Sequence, residues 1–474
     1  LKYTLNLSYY ISREIERKRW NSMEQHENKM GVMPEGKLLI NMSLPIMISM
    51  FVQALYNIVD SIFVARISED ALAAVSLAFS LQTLMIAVAT GTGVGLNALV
   101  SRALGEKDHK KASIVAENGV FIYIISYIVV AILGAVAVKP FYTLQTSVGQ
   151  EAIWQYGVDY LSIVMIFSFG LFMQICFERI LQATGRSFYT MLSQMTGAVV
   201  NIILDPILIF GLLGAPVMGI KGAAIATVIG QIVAAIEALA WNLLKNHDIH
   251  FDLKGFKPNG AIIGNIYKIG LPSIVMQSIG SVMTAGMNYI LMGLSSTGTA
   301  VFGVYFKLQS FFFMPIFGLN NGMIPIISYN YGARKKSRMM NTLKYAYMVA
   351  FAFAFLGFVG FELIPDKLLL LFDASNEMIA IGSVALRIIG VHYLIAWYCI
   401  VSGSMFQAVG KAAYSMYVSI ARQMVVLLPV AYILAKIGGL TAIWWCFPIA
   451  ELMSMVMTTI FFGRVKKTVL DKID

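Results

Sequence analysis

The sequence predicts an all-α integral membrane protein of twelve transmembrane helices, arranged as two parallel six-helix repeats. Three observations carry this fold class. Of 474 residues, 58% are hydrophobic and only 13% charged, where soluble domains carry roughly 25% charged residues. Twelve segments reach the length of about 20 apolar residues that a helix needs to cross the hydrocarbon. Motifs of the first half then recur in the second at a nearly constant offset, as expected of a pseudo-twofold axis along the membrane normal.

The elements follow in order. Residues 1–37 mix charges of both signs (REIERKRW, MEQHENK) and lack the apolar core of a signal peptide. They are expected to form a cytoplasmic tail, ending in a short interfacial helix. The chain opens on Leu1, with Met23, Met30 and Met33 as candidate starts. Spans begin near residues 39, 74, 114, 156, 189, 222, 264, 299, 343, 381, 415 and 440. Gly and Pro interrupt several of them, which membrane helices tolerate. The expected organisation is an N-lobe of helices 1–6 (38–247), a cytoplasmic inter-lobe loop (248–262), a C-lobe of helices 7–12 (263–465) and a cytoplasmic tail (466–474).

Charge distribution tests the count through the positive-inside rule. Alternate connections hold the basic clusters: Arg102, Lys107, Lys110 and Lys111; Arg179 and Arg186; Lys245, Lys254, Lys257 and Lys268; Arg334, Lys335, Lys336 and Arg338; Lys411 and Arg422. The intervening connections hold Arg66, Lys139, Lys221, Lys367 and Lys436. A missing or invented span would scramble this alternation, so both termini are expected in the cytoplasm of a multi-pass cell-membrane protein. The net charge of +10 is spread over loops rather than gathered in a patch, which argues against nucleic acid. Cys176, Cys399 and Cys446 lie in apolar spans without metal-ligand spacing and read as small buried hydrophobes.

Two matches define the repeat. Leu44-Pro45 and Gly105 return as Leu271-Pro272 and Gly332, 227 positions on, and QATGRSFYTML returns as QAVGKAAYSMY with an offset of 225. Chemistry does not follow this symmetry: Asp60 corresponds to Met287 and Asp205 to Val430. An ionisable group at membrane depth costs several kcal/mol, so an acidic pair confined to one half points to one cation site per chain. Asn201 and Asp205 share a helix face with Gln194, and Gln53, Asn57 and Asp60 share one on span one. At 1.5 Å rise per residue, Asp60 lies roughly 8 Å, Asp205 roughly 12 Å and Thr227 roughly 8 Å below the outer ends of spans one, five and six. Asp60, Asn201, Asp205 and Thr227 can therefore meet in the outer half of the N-lobe. They would offer hard oxygen ligands to Na⁺ or a shared carboxylate site to H⁺; the bland alternative is an ion-free hydrogen-bonded network. No other metal site and no cofactor is indicated.

The chain resembles the multidrug and toxic compound extrusion (MATE) transporters from about Lys37 to Lys467. The resemblance rests on Pro45 to Asp60 running into DSIFVARI, on NIILDP (Asn201–Pro206), on GAAIAT (Gly222–Thr227) and on FGLNNGMIPIISYNYGARK. It implies a V-shaped bundle that exports organic, often cationic, compounds against inward Na⁺ or H⁺, with a monomer as the expected functional unit. One branch of that family keeps essential acidic residues in spans seven and eight. Here those spans offer Met283, Met287 and Asn288 instead, so the chain is similar to the branch with its cation site in the N-lobe.

Other residues carry weaker expectations. Pro45 weakens span one below Asp60 and reads either as a hinge or as a static kink. Lys307 and Glu451 fall at similar depths and are expected to form a structural ion pair in the C-lobe, the alternative being a role toward substrate or a second ion. Arg387 is expected to snorkel toward Asp373 or Glu377. His247 and His250 read as solvated loop residues, and His392 as a satisfied histidine within the bundle. Gln53, Asn57, Gln277, Met283, Met287 and Asn288 are the expected cavity-facing positions, because they lie on the equivalent first helices of the two halves. A flippase for a lipid-linked saccharide is the competing reading; it calls for several basic residues in the cavity, and only Lys307 and Arg387 are expected within spans. An enzyme is not indicated: GTGVGLN (Gly91–Asn97) follows no strand and cannot be a phosphate loop.

Overall fold

The computed structural model describes residues 28–146, 149–252, 256–372 and 374–473. Tail residues 1–27, Lys254 and Asp373, which carried expectations above, lie outside them. Every regular element among the described residues is helical. Ten helices are long and apolar enough to cross a membrane: α2 (Glu35–Ala65), α3 (Glu69–Gly105), α4 (His109–Gln145), α7 (Ser187–Phe210), α8 (Ile220–Lys245), α9 (Gly260–Met292), α10 (Ser296–Gly332), α11 (Lys336–Leu363), α15 (Ala412–Ile443) and α16 (Cys446–Thr468). Two bent pairs complete the twelve spans. These are α5 (Glu151–Ile166) with α6 (Phe169–Ala183), meeting at 44°, and α13 (Asn376–Gly390) with α14 (Tyr393–Ala408), meeting at 51°. The short helices α1 (Lys29–Val32) and α12 (Pro365–Leu370) flank the bundle. Most helices start a few residues ahead of their apolar segments because a polar first turn precedes each. Gly439 (φ 61°) breaks the helical run inside α15, so the last span begins there, near the expected residue 440, and runs on into α16.

The repeat is written into the backbone. Lys107 and Arg334, 227 positions apart, both take positive φ (59° and 54°) at the exits of α3 and α10. Gly185 and Gly410, 225 apart, do so (85° and 79°) where α6 and α14 end, a conformation glycine adopts without penalty. Ser68 and Ser295, again 227 apart, cap α3 and α10 by accepting from Ala71 N at 3.0 Å and Gly298 N at 3.1 Å. Each cap satisfies a donor that the helix start would otherwise leave orphaned.

The halves meet along a seam used twice. Gly91 abuts Ile274, and Gly318 abuts Met47, the same pair shifted by 227. Gly95 faces Ile266 and Gly270, Gly322 faces Ser43, and the exits close reciprocally: Gly105 against Tyr329 O, Gly332 against Arg102 O. Ser43 Oγ also donates to Leu319 O at 3.2 Å. Small residues four apart allow backbones this close, the usual way helices associate where lipid removes the hydrophobic drive. All these contacts lie toward the end of the bundle with the basic loops. Both described chain ends are there as well, Lys336 holding Asp471 at 3.0 Å. Away from the seam the lobes diverge around a cavity.

The segment Asn28–Met33 straps that end across both lobes. Asn28 Nδ2 donates to Thr184 O (3.0 Å) and Asp248 Oδ2 (3.3 Å) of the N-lobe. Asn330 Nδ2 donates to Met30 O (3.1 Å), Lys335 Nζ to Gly31 O (3.1 Å) and Arg338 Nη2 to Met33 O (2.6 Å) from the C-lobe. Met30 is fully buried between them.

Candidate functional site

Asp60 and Asp205 meet inside the N-lobe. Both are buried, on α2 and α7, and they lie close enough for Asp205 to feel the charge of Asp60. The sequence places them together because i, i+4 spacing puts Asn201 and Asp205 on the α7 face that packs on α2 and α8. The Asn201 amide lies between Asp205 and Thr227. In one rotation Nδ2 donates to Asp205 Oδ1 (3.4 Å) and Thr227 Oγ1 (3.3 Å). In the other it donates to Asp205 Oδ2 (3.3 Å) while Oδ1 accepts from Thr227 N (3.2 Å). The close approach of α7 and α8 here rests on Gly197, where a Cβ would lie 3.0 Å from Gly230 O. Asp60 Oδ1 is buried and has no hydrogen-bond partner among the described residues. Two carboxylates, an amide oxygen and a hydroxyl around such an atom suit a hard cation or a proton held between the acids.

Tyr56 and Tyr160 complete the cluster, each close enough to feel the charge of Asp60 and Asp205. Tyr160 Oη accepts from Gln82 Nε2 at 3.4 Å. Sequence reasoning missed both tyrosines. Tyr56 could have been found, since it stands four residues before Asp60; Tyr160 comes from α5, whose rotation no spacing rule fixed.

A cavity of about 770 Å³ lies between the lobes. Gln53, Gln277 and Met283 line it, as do Asn201, Thr227 and Tyr56 from the acidic cluster. Three expected lining residues do not. Asn57 is exposed elsewhere on α2, Met287 is fully buried in packing, and Asn288 is half-buried outside the lining. The first helices tilt apart above the seam, so one face of each lines the cavity for only part of its length. Gln194, aligned with Asn201 in sequence, lines the cavity but donates to Glu178 Oε2 at 2.7 Å.

The charged lining residues come from places the loop assignment had hidden. Arg179 belongs to α6 and Arg422 to α15, not to basic connections. Glu178 is buried and accepts from Gln174 (3.0 Å), Ser193 (3.3 Å) and Gln194 (2.7 Å). Arg179 Nη1 donates to Gln182 (2.9 Å) and, across the lobes, to Asn321 Oδ1 (3.0 Å). The expected Lys307–Glu451 pair is replaced: Glu451 accepts from Arg422 Nη1 at 3.1 Å. Lys307 is exposed, its Nζ 5.8 Å from the Phe372 ring centre. Equal depth brought Lys307 and Glu451 together in one dimension, but their helices turn them to different faces. Arg387 is exposed, and Glu377 accepts from Thr297 Oγ1 at 3.2 Å. His247 is exposed, His392 is buried against Phe313, and no cluster of three or more His, Cys, Asp or Glu that could hold a metal ion occurs among the described residues. Pro45 lies within continuous α2, between the seam residues Ser43 and Met47.

The profile of the MatE family matches residues 45–207 and 272–433, one stretch in each repeat and well over half of the chain. The chain belongs to the MatE family. Members of this family are membrane transporters, not enzymes. A multidrug export protein MepA of Staphylococcus haemolyticus is 28% identical over 419 residues, covering 88% of this chain and 90% of its own. Among solved structures, an outward-facing MATE family multidrug resistance transporter of the MOP superfamily superposes with a TM-score of 0.86 at 26% identity, covering 94% of this chain and 98% of its own. A MOP superfamily transporter from Pyrococcus furiosus, described as having a binding pocket of reverse polarity that suggests a different function, fits with the same score, identity and coverage.

Proposed function

We propose that this chain is an Na⁺- or H⁺-coupled antiporter that exports organic, often cationic, compounds across the cell membrane by alternating access. The observation that carries this reading is the acidic pair Asp60–Asp205, buried in one lobe, absent from the other repeat and joined to the cavity through Tyr56, Asn201 and Thr227. The names of the multidrug-exporting relatives support the substrate class. With the basic loops and termini in the cytoplasm, the seam seals the inner side and the cavity opens outward.

The chemistry follows from the shared residues. A cation that reaches the carboxylates neutralises them and changes how Tyr56, Asn201 and Thr227 can be held. Those side chains also form cavity surface, so substrate and cation bias the same two shapes of the N-lobe. A ligand shifts that equilibrium only through its different affinity for the two shapes, and the coupling is reciprocal.

The test is efflux of a fluorescent organic cation from proteoliposomes, with ΔpH and ΔNa⁺ imposed separately. Wild type should respond to one of the gradients, and Asp205→Asn should lose the response while remaining inserted and folded. Wild-type rates in that variant at matched expression would overturn the ion-site assignment. A flippase for a lipid-linked saccharide gains Arg179 and Arg422 as cavity cations. However, Arg179 is engaged across the floor and Arg422 faces Glu451, which leaves too little free positive charge for a pyrophosphate.

A further inference from the structure

The coupling scheme uses the N-lobe wall of the cavity and leaves one charged group on the C-lobe wall without a role. Arg422 sits ten residues into α15, in a π-helical stretch, Ala421–Leu427. A π turn widens the hydrogen-bond ladder and re-aims side chains, which is why such turns gather at functional sites. The equivalent span α7 is a regular helix, and the position 225 residues before Arg422 is Gly197. The feature therefore belongs to the C-lobe and is not inherited from the repeat.

Arg422 lines the cavity with 29% of its side chain exposed, and Glu451 Oε2 is its one hydrogen-bond acceptor among the described residues. A guanidinium has five donors in a planar fork, so most of them stay available to a ligand. The other cavity arginine differs, because Arg179 is tied to Gln182 and Asn321. The cavity lining around it is polar, with Gln423 next to it in α15 and Ser419 one turn before it.

We propose that Arg422 forms a carboxylate subsite of the transport cavity, the residue that recognises the anionic end of compounds carrying both charges. The carboxylate takes the open edge of the guanidinium in a bidentate pair, the geometry arginine is shaped for. The cationic end of the same compound is left to the aromatic lining of the cavity, Phe306 and Phe313 among it. A monoanion suits the site better than a phosphate, because Glu451 already cancels one unit of charge. The proposal rests on the export reading above and assigns one residue of the C-lobe wall to substrate recognition.

The experiment compares two dyes that differ at one group: rhodamine 110, a zwitterion with a free carboxylate, and its methyl ester rhodamine 123, a cation. Binding to purified full-length protein is measured by fluorescence anisotropy for wild type, for the double variant Arg422→Gln/Glu451→Gln, and for Glu451→Gln alone. The double variant removes both charges at nearly constant shape and leaves no lone buried carboxylate. It should weaken rhodamine 110 by about 10- to 100-fold, the range for a hydrogen bond to a charged group, and leave rhodamine 123 within about two-fold. Glu451→Gln alone should keep or tighten rhodamine 110, since it frees the arginine. An equal loss for both dyes would make the pair structural and overturn the proposal, as would no loss for either. A wild type that binds the ester but not the zwitterion overturns the subsite and leaves the export reading standing. A wild type that binds neither dye removes both.

Discussion

Gly105→Ala and Gly332→Ala should each open the seam, and by the same amount. A Cβ on Gly105 would lie 1.9 Å from Tyr329 O, and one on Gly332 would lie 2.2 Å from Arg102 O, where ordinary contacts begin at 3.4 Å. Both obstacles are backbone atoms of the facing helix, so no rotamer change relieves them. The helices must separate by about 1.2–1.5 Å, and overpacking of this kind costs about 1–3 kcal/mol. The cost falls on the closed seam and not on the open one, so the closed population should drop about 5- to 150-fold relative to the open state. The two clashes occupy one crossing. Once either has opened it, the second substitution meets little further resistance, and the double variant should cost clearly less than the sum. Spin labels at Lys110 and Lys344, exposed in the two lobes, report the opening as a second, longer distance in pulsed EPR. Distance distributions identical to wild type, or strictly additive effects in the double variant, would refute the reasoning.

Three further outcomes follow. Asn201→Ala should lower the affinity for the coupling cation by about 1–3 kcal/mol without changing expression, because the amide is the hydrogen-bonded link between Asp205 and Thr227; isothermal titration with Na⁺ and proton release on mixing are the readouts. Substrate Kd in wild type should rise with either Na⁺ or falling pH, and cation affinity should fall by the same factor when substrate is bound; Pro45→Ala with wild-type efflux would remove that residue from the motion without touching the ion site. Asn330→Ala removes one of two donors to Met30 O, leaving Arg338 Nη2 at 3.3 Å, and removes the acceptor of Arg338 Nε; it should lower Tm by a few degrees, since each hydrogen bond contributes about 0.5–1.5 kcal/mol net, and an unchanged Tm would show that the strap contributes nothing at that point.

How much the sequence disclosed depended on whether a feature is one-dimensional. The twelve spans were legible from run length, and the repeat from offsets of 225 and 227, which also govern the seam glycines and the positive-φ positions. Asn201 with Asp205 was legible because four residues on one helix is a local rule. Arg179 and Arg422 were not, since arginine near a span end reads as a loop residue when the helix runs further than its apolar stretch. The Arg422–Glu451 pair required knowing how α15 and α16 are rotated, and a π-helical stretch that no hydropathy pattern announces sets that rotation for α15.

The seam also constrains how such a gene can change. Its closest contacts run through glycine backbone, so neighbouring side chains can drift without disturbing the crossing, whereas helix length between the glycines cannot. Deleting one residue between Gly91 and Gly105 would rotate everything beyond it by about 100°, turning Gly105 away from Tyr329 and carrying Arg102 away from Gly332. A lesion confined to one half would therefore remove the sealing contact of the other as well. Lineages of this architecture should accept substitutions widely along α3 and α10, and insertions or deletions there almost never.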